Sequence, residues 1–145
     1  MKIEEFFSKE EQASIVEAIK NAEHNTSGEI RVHIDDKCPG DVMDRAAHVF
    51  KVLDMHKTKE RNGVLFYLAV GNRKFAILGD AGINRVVPEN FWDEIKNKML
   101  ENFREGDFAI GLAEGITMAG HQLSEHFPYQ KDDVNELSDE ISFGK

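Results

Sequence analysis

Three oxygen-bearing side chains stand at the ends of apolar stretches. Glu29 opens one stretch, Asn62 opens a second, and Asp80 follows a third. Carboxylates and amide carbonyls are the ligands of hard divalent cations, and Ca²⁺ gathers about six to eight such oxygens. The loop Gly79-Asp80-Ala81-Gly82 could add backbone carbonyls, because its glycines let the chain turn toward an ion. A second acidic group comprises Asp35, Asp36 and the stretch Glu105-Gly106-Asp107. Asp107 also reads as the N-cap of a following helix. The alternative for the first group is a set of solvated strand ends, with Asp80 making a turn.

Other chemistries leave marks that are absent. A cysteine phosphatase needs an arginine at a C-x₅-R spacing, but position 44 is Asp44 and Arg45 comes one residue late. Cys38 therefore reads as a loop thiol, and as the sole cysteine it cannot form an intrachain disulfide. An aspartyl-phosphate route would need Asp-x-Asp, where the chain has Asp35-Asp36-Lys37. The six histidines make no His-Glu-x-x-His pattern, and no phosphate-binding glycine loop is present. His121 and His126 lie five residues apart, a spacing that spreads them around a helix. Metal-assisted hydrolysis stays open, since carboxylates with Mg²⁺ or Ca²⁺ can polarise a phosphoryl oxygen. Arg61 or Arg73 could then pair with phosphate.

The elements that position these residues follow from periodicity. Ser8-x-x-Glu11 has the form of a capping box, and Ile15, Val16, Ile19 and Ala22 continue at helical spacing. Glu29 to Ile34 alternates, with Ile30, Val32 and Ile34 on one face and Glu29, Arg31 and His33 on the other. Asp41 can cap a helix whose stripe is Val42, Ala46, Phe50 and Leu53. Residues 62–70 are apolar almost throughout, as a central strand covered on both faces would be. Gly71-Asn72 signals a hairpin returning through 74–79. Pro88 suits the first turn of a helix with Phe91, Ile95, Met99 and Phe103 facing inward. A last helix, after Asp107, carries Phe108, Leu112, Ile116, Ala119, Leu123 and Phe127 on one side. Gly111 and Gly115 inside it suggest close approach of another backbone.

The order α-β-α-β-β-α-α predicts a three-layer α/β/α sandwich with a small mixed sheet over residues 1–127. The strand crossing over through a helix runs parallel to its predecessor, and the hairpin strand returns antiparallel. Glu29, Asn62 and Asp80 then share one sheet edge, while Asp35, Asp36 and Asp107 fall at the other. The second edge lies at the carboxyl ends of the parallel strands, where α/β sheets usually bind ligands.

Residues 128–145 read as an acidic tail, flexible or draped over the surface, with five acids against two lysines in 131–145. Its Leu137 and Ile141 could dock on a protein partner, or the segment could simply solubilise the chain.

Bulk properties bound the rest. A chain of 145 residues with 41% apolar content suits one stable domain. The net charge of −9 disfavours nucleic acid or an anionic membrane as partner. The start Met1-Lys2-Ile3-Glu4-Glu5 places acids where a signal peptide needs apolar residues, so a cytoplasmic monomer is expected.

Four segments together carry a family resemblance. Ser27-Gly28-Glu29-Ile30-Arg31-Val32, Glu60-Arg61-Asn62-Gly63-Val64-Leu65, Phe75-Ala76-Ile77-Leu78-Gly79-Asp80-Ala81-Gly82-Ile83 and Phe103-Arg104-Glu105-Gly106-Asp107-Phe108-Ala109-Ile110-Gly111-Leu112 resemble the TPM domain in order and spacing. The match spans roughly residues 10–127. That family takes its name from a thylakoid-lumen phosphatase-like protein, a photosystem II repair protein and an animal receptor modulator. The resemblance implies an α/β/α sandwich, calcium binding, and the acid phosphatase activity proposed for plant members. Carried over residue by residue, it implies ligands at Glu29, Asp80 and Asp107, with Asn62 beside them. The chain resembles the short intracellular branch. The expectation is therefore a Ca²⁺- or Mg²⁺-binding module, with a weak metal-dependent phosphomonoesterase as the alternative.

Overall fold

The computed structural model describes residues 2–129 and 137–144. Helix α1 (Lys9–Glu23) opens on the capping box: the Ser8 hydroxyl accepts from the Glu11 amide, and the Glu11 carboxylate accepts from the Ser8 amide. Strand β1 (Glu29–Asp35) follows, then helix α2 (Val42–Val52), whose Met43 and Asp44 amides donate to the Asp41 carboxylate. Strands β2 (Gly63–Ala69) and β3 (Lys74–Gly79) form the hairpin. After them come a one-turn helix α3 (Ala81–Asn84), helices α4 (Asp93–Arg104) and α5 (Phe108–His126), and a short strand β4 (Ser142–Phe143).

The sheet order is β3-β2-β1-β4, with β1 parallel to β2 and to β4, and β2 antiparallel to β3. Every residue of β2 is buried, because the strand is flanked on both edges and covered on both faces. Ile30, Val32 and Ile34 join Val64, Phe66 and Leu68 in the larger core, which α1, α4 and α5 close with Ile15, Ile95, Met99 and Ile116. On the opposite face, Leu65, Tyr67 and Ala76 pack against Ala46, Val49 and Phe50 of α2. The mixed α/β architecture is the one the periodicity predicts. Among the described residues no helix is long and apolar enough to cross a membrane.

Two details differ from expectation, and a third decides between two readings. Pro88 does not begin a helix. Residues 88–92 form turns, with the Phe91 amide on the Pro88 carbonyl, and α4 starts at Asp93. Those turns place the Trp92 ring over Gly79, where a Cβ would come within 2.7 Å of it.

The glycines of α5 also work differently. Gly111 and Gly115 admit side chains of α4, namely the Phe103 ring and Met99. The close backbone approach is at Gly120, where a Cβ would lie 3.0 Å from the Cα of Ala22 in α1.

Finally, of the two readings of the C-terminal tail, flexible or draped over the surface, residues 137–144 follow the second. Ser142 and Phe143 pair with β1, and the Gly144 amide donates to the Ile34 carbonyl at 2.8 Å. Ile141 and Phe143 pack on the larger core and Leu137 on the smaller one. These apolar residues cover an otherwise open strand edge, which is what holds them there. The rest of the proposed tail, residues 130–136, lies outside the described residues.

Candidate functional site

Register places the first acidic rim. Glu29 pairs with Gly63 across β1 and β2, and Val64 pairs with Gly79 across β2 and β3. The Glu29 amide donates to the Asn62 carbonyl at 3.2 Å, and the Asp80 amide donates to the Gly63 carbonyl at 3.0 Å. Glu29, Asn62 and Asp80 therefore meet at one end of the sheet, and all three are buried.

Each has a partner there. The Glu29 carboxylate accepts from the Leu137 amide at 2.6 Å. The Asn62 side-chain amide donates to the Ser27 carbonyl, and Glu60 accepts from the Ser27 hydroxyl at 3.0 Å. Asp80 receives a two-pronged pair from Arg61, Nε to Oδ2 at 2.8 Å and Nη2 to Oδ1 at 2.9 Å. Its Oδ1 also accepts from the Ala81 amide, which makes it the N-cap of α3. Arg61 reaches it from a left-handed backbone conformation, φ 53°.

Asp107 does not join this rim. It precedes Phe108, which packs on Phe103, and Phe103 packs on Phe75 at the start of β3. That start pairs with the far end of β2, through Phe75 opposite Leu68. Asp107 occupies the N-cap position of α5 as expected, but its side chain makes no capping hydrogen bond.

The donor chemistry of the rim fits a hard cation: carboxylates of Glu29, Glu60 and Asp80 with the amide of Asn62. The arrangement fits one less well. Arg61 holds both oxygens of Asp80, and among the described residues no three His, Cys, Asp or Glu side chains are grouped to hold a metal ion.

The opposite end holds a polar cluster around Asp35. Its Oδ1 lies 2.9 Å from His33 Nε2, and its Oδ2 accepts from Arg45 Nε at 2.9 Å and from the Tyr67 hydroxyl. Burial raises the Asp35 carboxyl, but donation from Arg45, Tyr67 and His33 outweighs it and holds the group below the usual carboxylate range. Burial lowers His33, outweighing the pull of Asp35, and favours the neutral ring. An ionised Asp35 can only accept, so Nε2 carries the His33 proton, and Nδ1 accepts from the Ser142 hydroxyl at 2.9 Å. Burial also pushes the Tyr67 hydroxyl well up, with the hydrogen bond to Asp35 adding to it. This carboxylate–imidazole–hydroxyl chain fastens β4 to β1.

A third cluster surrounds Glu23. Its carboxyl is pushed up to about 9, by burial first and then by a hydrogen bond with Asp139, although donation from the Ile30 amide opposes this.

Asp35 was legible as a candidate in the sequence, whereas His33, Arg45, Tyr67, Ser142 and Glu23 were not. The available signal was the run Glu29, Arg31, His33, Asp35 along one face of β1. So polar a face cannot meet a helix layer without partners.

The TPM domain family's sequence profile matches residues 2–122. The chain belongs to the TPM domain family. Among solved structures, this TPM domain resembles the BA42 protein of the psychrophilic bacterium Bizionia argentinensis at 51% identity, covering 99% of both chains with a TM-score of 0.92. The N-terminal domain of a P. gingivalis protein shares the fold at 18% identity and a TM-score of 0.69, with 87% of this chain and 83% of that one covered. The N-terminal domain of the cg2496 protein of Corynebacterium glutamicum shares it at 14% identity and a TM-score of 0.66, with coverages of 97% and 81%. No curated protein matches the sequence.

Proposed function

We propose that this TPM domain is a divalent-cation-binding module, and that Ca²⁺ binds at the rim formed by Glu29, Glu60, Asn62 and Asp80. The observation that supports it most is the strand register, which brings Glu29 beside Gly63 and Val64 beside Gly79 and so collects oxygen ligands from three chain segments. Arg61 is the counter-charge at Asp80, and its side chain is 49% exposed. The half-exposed guanidinium can turn out into water, which makes it the displaceable partner of the buried carboxylate. The bound cation takes its place beside Asp80. Mg²⁺ binds more weakly, since it demands closer and more regular octahedral geometry than a rim built from three segments provides.

Binding stands ahead of a phosphomonoesterase activity, because Arg61 is engaged by Asp80 rather than directed at an open phosphate site. Amide NMR during a Ca²⁺ titration tests the proposal. Saturable shifts should centre on residues 27–30, 60–63 and 79–82 and vanish in Glu29→Gln and Asp80→Asn. If both variants keep the wild-type shifts, this rim is not the site.

A further inference from the structure

At the carboxyl end of β2, an open cavity of about 130 Å³ lies between the β2–β3 hairpin and the junction of α4 with α5. Its walls include Leu68, Phe75, Phe103 and Phe108, and Arg73 and Arg104 line it as well. Phe103 stacks edge-on against Phe75 at 5.1 Å and lies tilted against Phe108 at 5.3 Å, so the aromatic floor is fixed by mutual contact. The three rings are only partly buried.

The two arginines set the charge of the site. Among the described residues neither guanidinium has an ion pair or a side-chain hydrogen bond, although the chain carries a net charge of −9. Like charges beside one apolar recess, without a carboxylate between them, favour an anion. Arg73 closes the hairpin with φ 53°, a left-handed conformation that non-glycine residues rarely adopt. The cavity also lies at the strand ends where open α/β sheets usually take ligands.

We propose that this recess binds a small aromatic carboxylate, with one ring against Phe75, Phe103 and Phe108 and the carboxylate at Arg73 and Arg104. Volume limits the apolar part to one ring, since an apolar cavity of ~150 Å³ accommodates benzene. Guanidinium forks match a planar carboxylate better than they match a point charge. The site lies at the opposite end of the sheet from the proposed cation rim, so neither result depends on the other.

The test is an amide NMR titration of the whole chain with phenylacetate, run beside 2-phenylethanol and acetate. Phenylacetate should shift amides of residues 73–75 and 103–108 with a dissociation constant near ~1 mM, ordinary for a ligand this small. Phenylethanol lacks the charge and acetate lacks the ring, and each should bind at least about tenfold more weakly. The paired substitutions Arg73→Gln and Arg104→Gln change two exposed side chains and should weaken phenylacetate about tenfold while leaving the weak phenylethanol response unchanged. The proposal fails if phenylethanol or acetate binds as tightly as phenylacetate, if the shifts map elsewhere, or if the double variant keeps wild-type affinity.

Discussion

Arg61 grips Asp80 with both prongs of its guanidinium, at 2.8 and 2.9 Å, while Asp80 caps α3 through the Ala81 amide. One carboxylate therefore starts a helix and closes the loop before β2. A cation bound at the proposed rim would have to compete with Arg61 for it.

Replacing Arg61 with Gln removes the competitor and leaves the Asp80 cap in place. The apparent Ca²⁺ affinity should rise by about threefold or more, because the cation no longer has to displace a guanidinium from Asp80. Denaturant unfolding without Ca²⁺ should show a smaller loss than Asp80→Asn, which removes both the ion pair and the cap of α3. Unchanged or weaker Ca²⁺ binding in this variant would argue against an exchange at Asp80.

Asp35→Asn probes the other rim. The amide can still accept from Tyr67, but it no longer neutralises Arg45 or fixes the His33 ring. Loss of a buried, charged acceptor should cost about 2 kcal/mol or more in urea unfolding at pH 7. The pH dependence has a definite sign. The Asp35 carboxyl is depressed below its ordinary 3.8, so its contribution is present above that value and is lost as pH falls below it. The variant should lack that part of the acid transition.

Glu23 acts in the opposite sense. Its carboxyl keeps its proton up to about 9 in the fold, against 4.5 as the ordinary value. The native state thus holds an extra proton across that window. The contribution is complete below 4.5 and is lost as pH rises toward about 9. Glu23→Gln keeps an acceptor for the Ile30 amide and a donor for Asp139. Melting temperatures of the wild type should decline over this window, and the variant should be flatter across it. Parallel curves would show that Glu23 does not hold the proton.

Truncation after residue 136 removes β4 and the residues that pack with it. Phe143 and Ile141 leave the larger core and Leu137 the smaller one, while β1 loses its partner on one edge. Stability should fall by about 3 kcal/mol or more, given ~1.5–3 kcal/mol for each large apolar side chain fully buried and smaller values for these partly buried ones. The bared strand should also promote self-association, visible by size-exclusion chromatography with light scattering.

Much of this molecule was legible from local pattern. The capping box at Ser8 and Glu11, the alternation from Glu29 to Ile34, and the apolar run of β2 each specify an element through neighbouring residues. Connectivity then sets strand direction, because a helical crossover gives parallel strands and a short hairpin loop, here residues 70–73, gives antiparallel ones. From these alone Glu29, Asn62 and Asp80 could be placed on one rim and Asp107 at the far end. What periodicity cannot supply is the partner of a polar side chain. Nothing near Asp80 in sequence shows that Arg61, 19 residues earlier, will take both its oxygens. His33 and Ser142 are 109 residues apart, and a two-residue strand has no period to read. Tertiary structure decided these pairings because burying the polar face of β1 required a partner for each group, and the C-terminal segment supplied several of them.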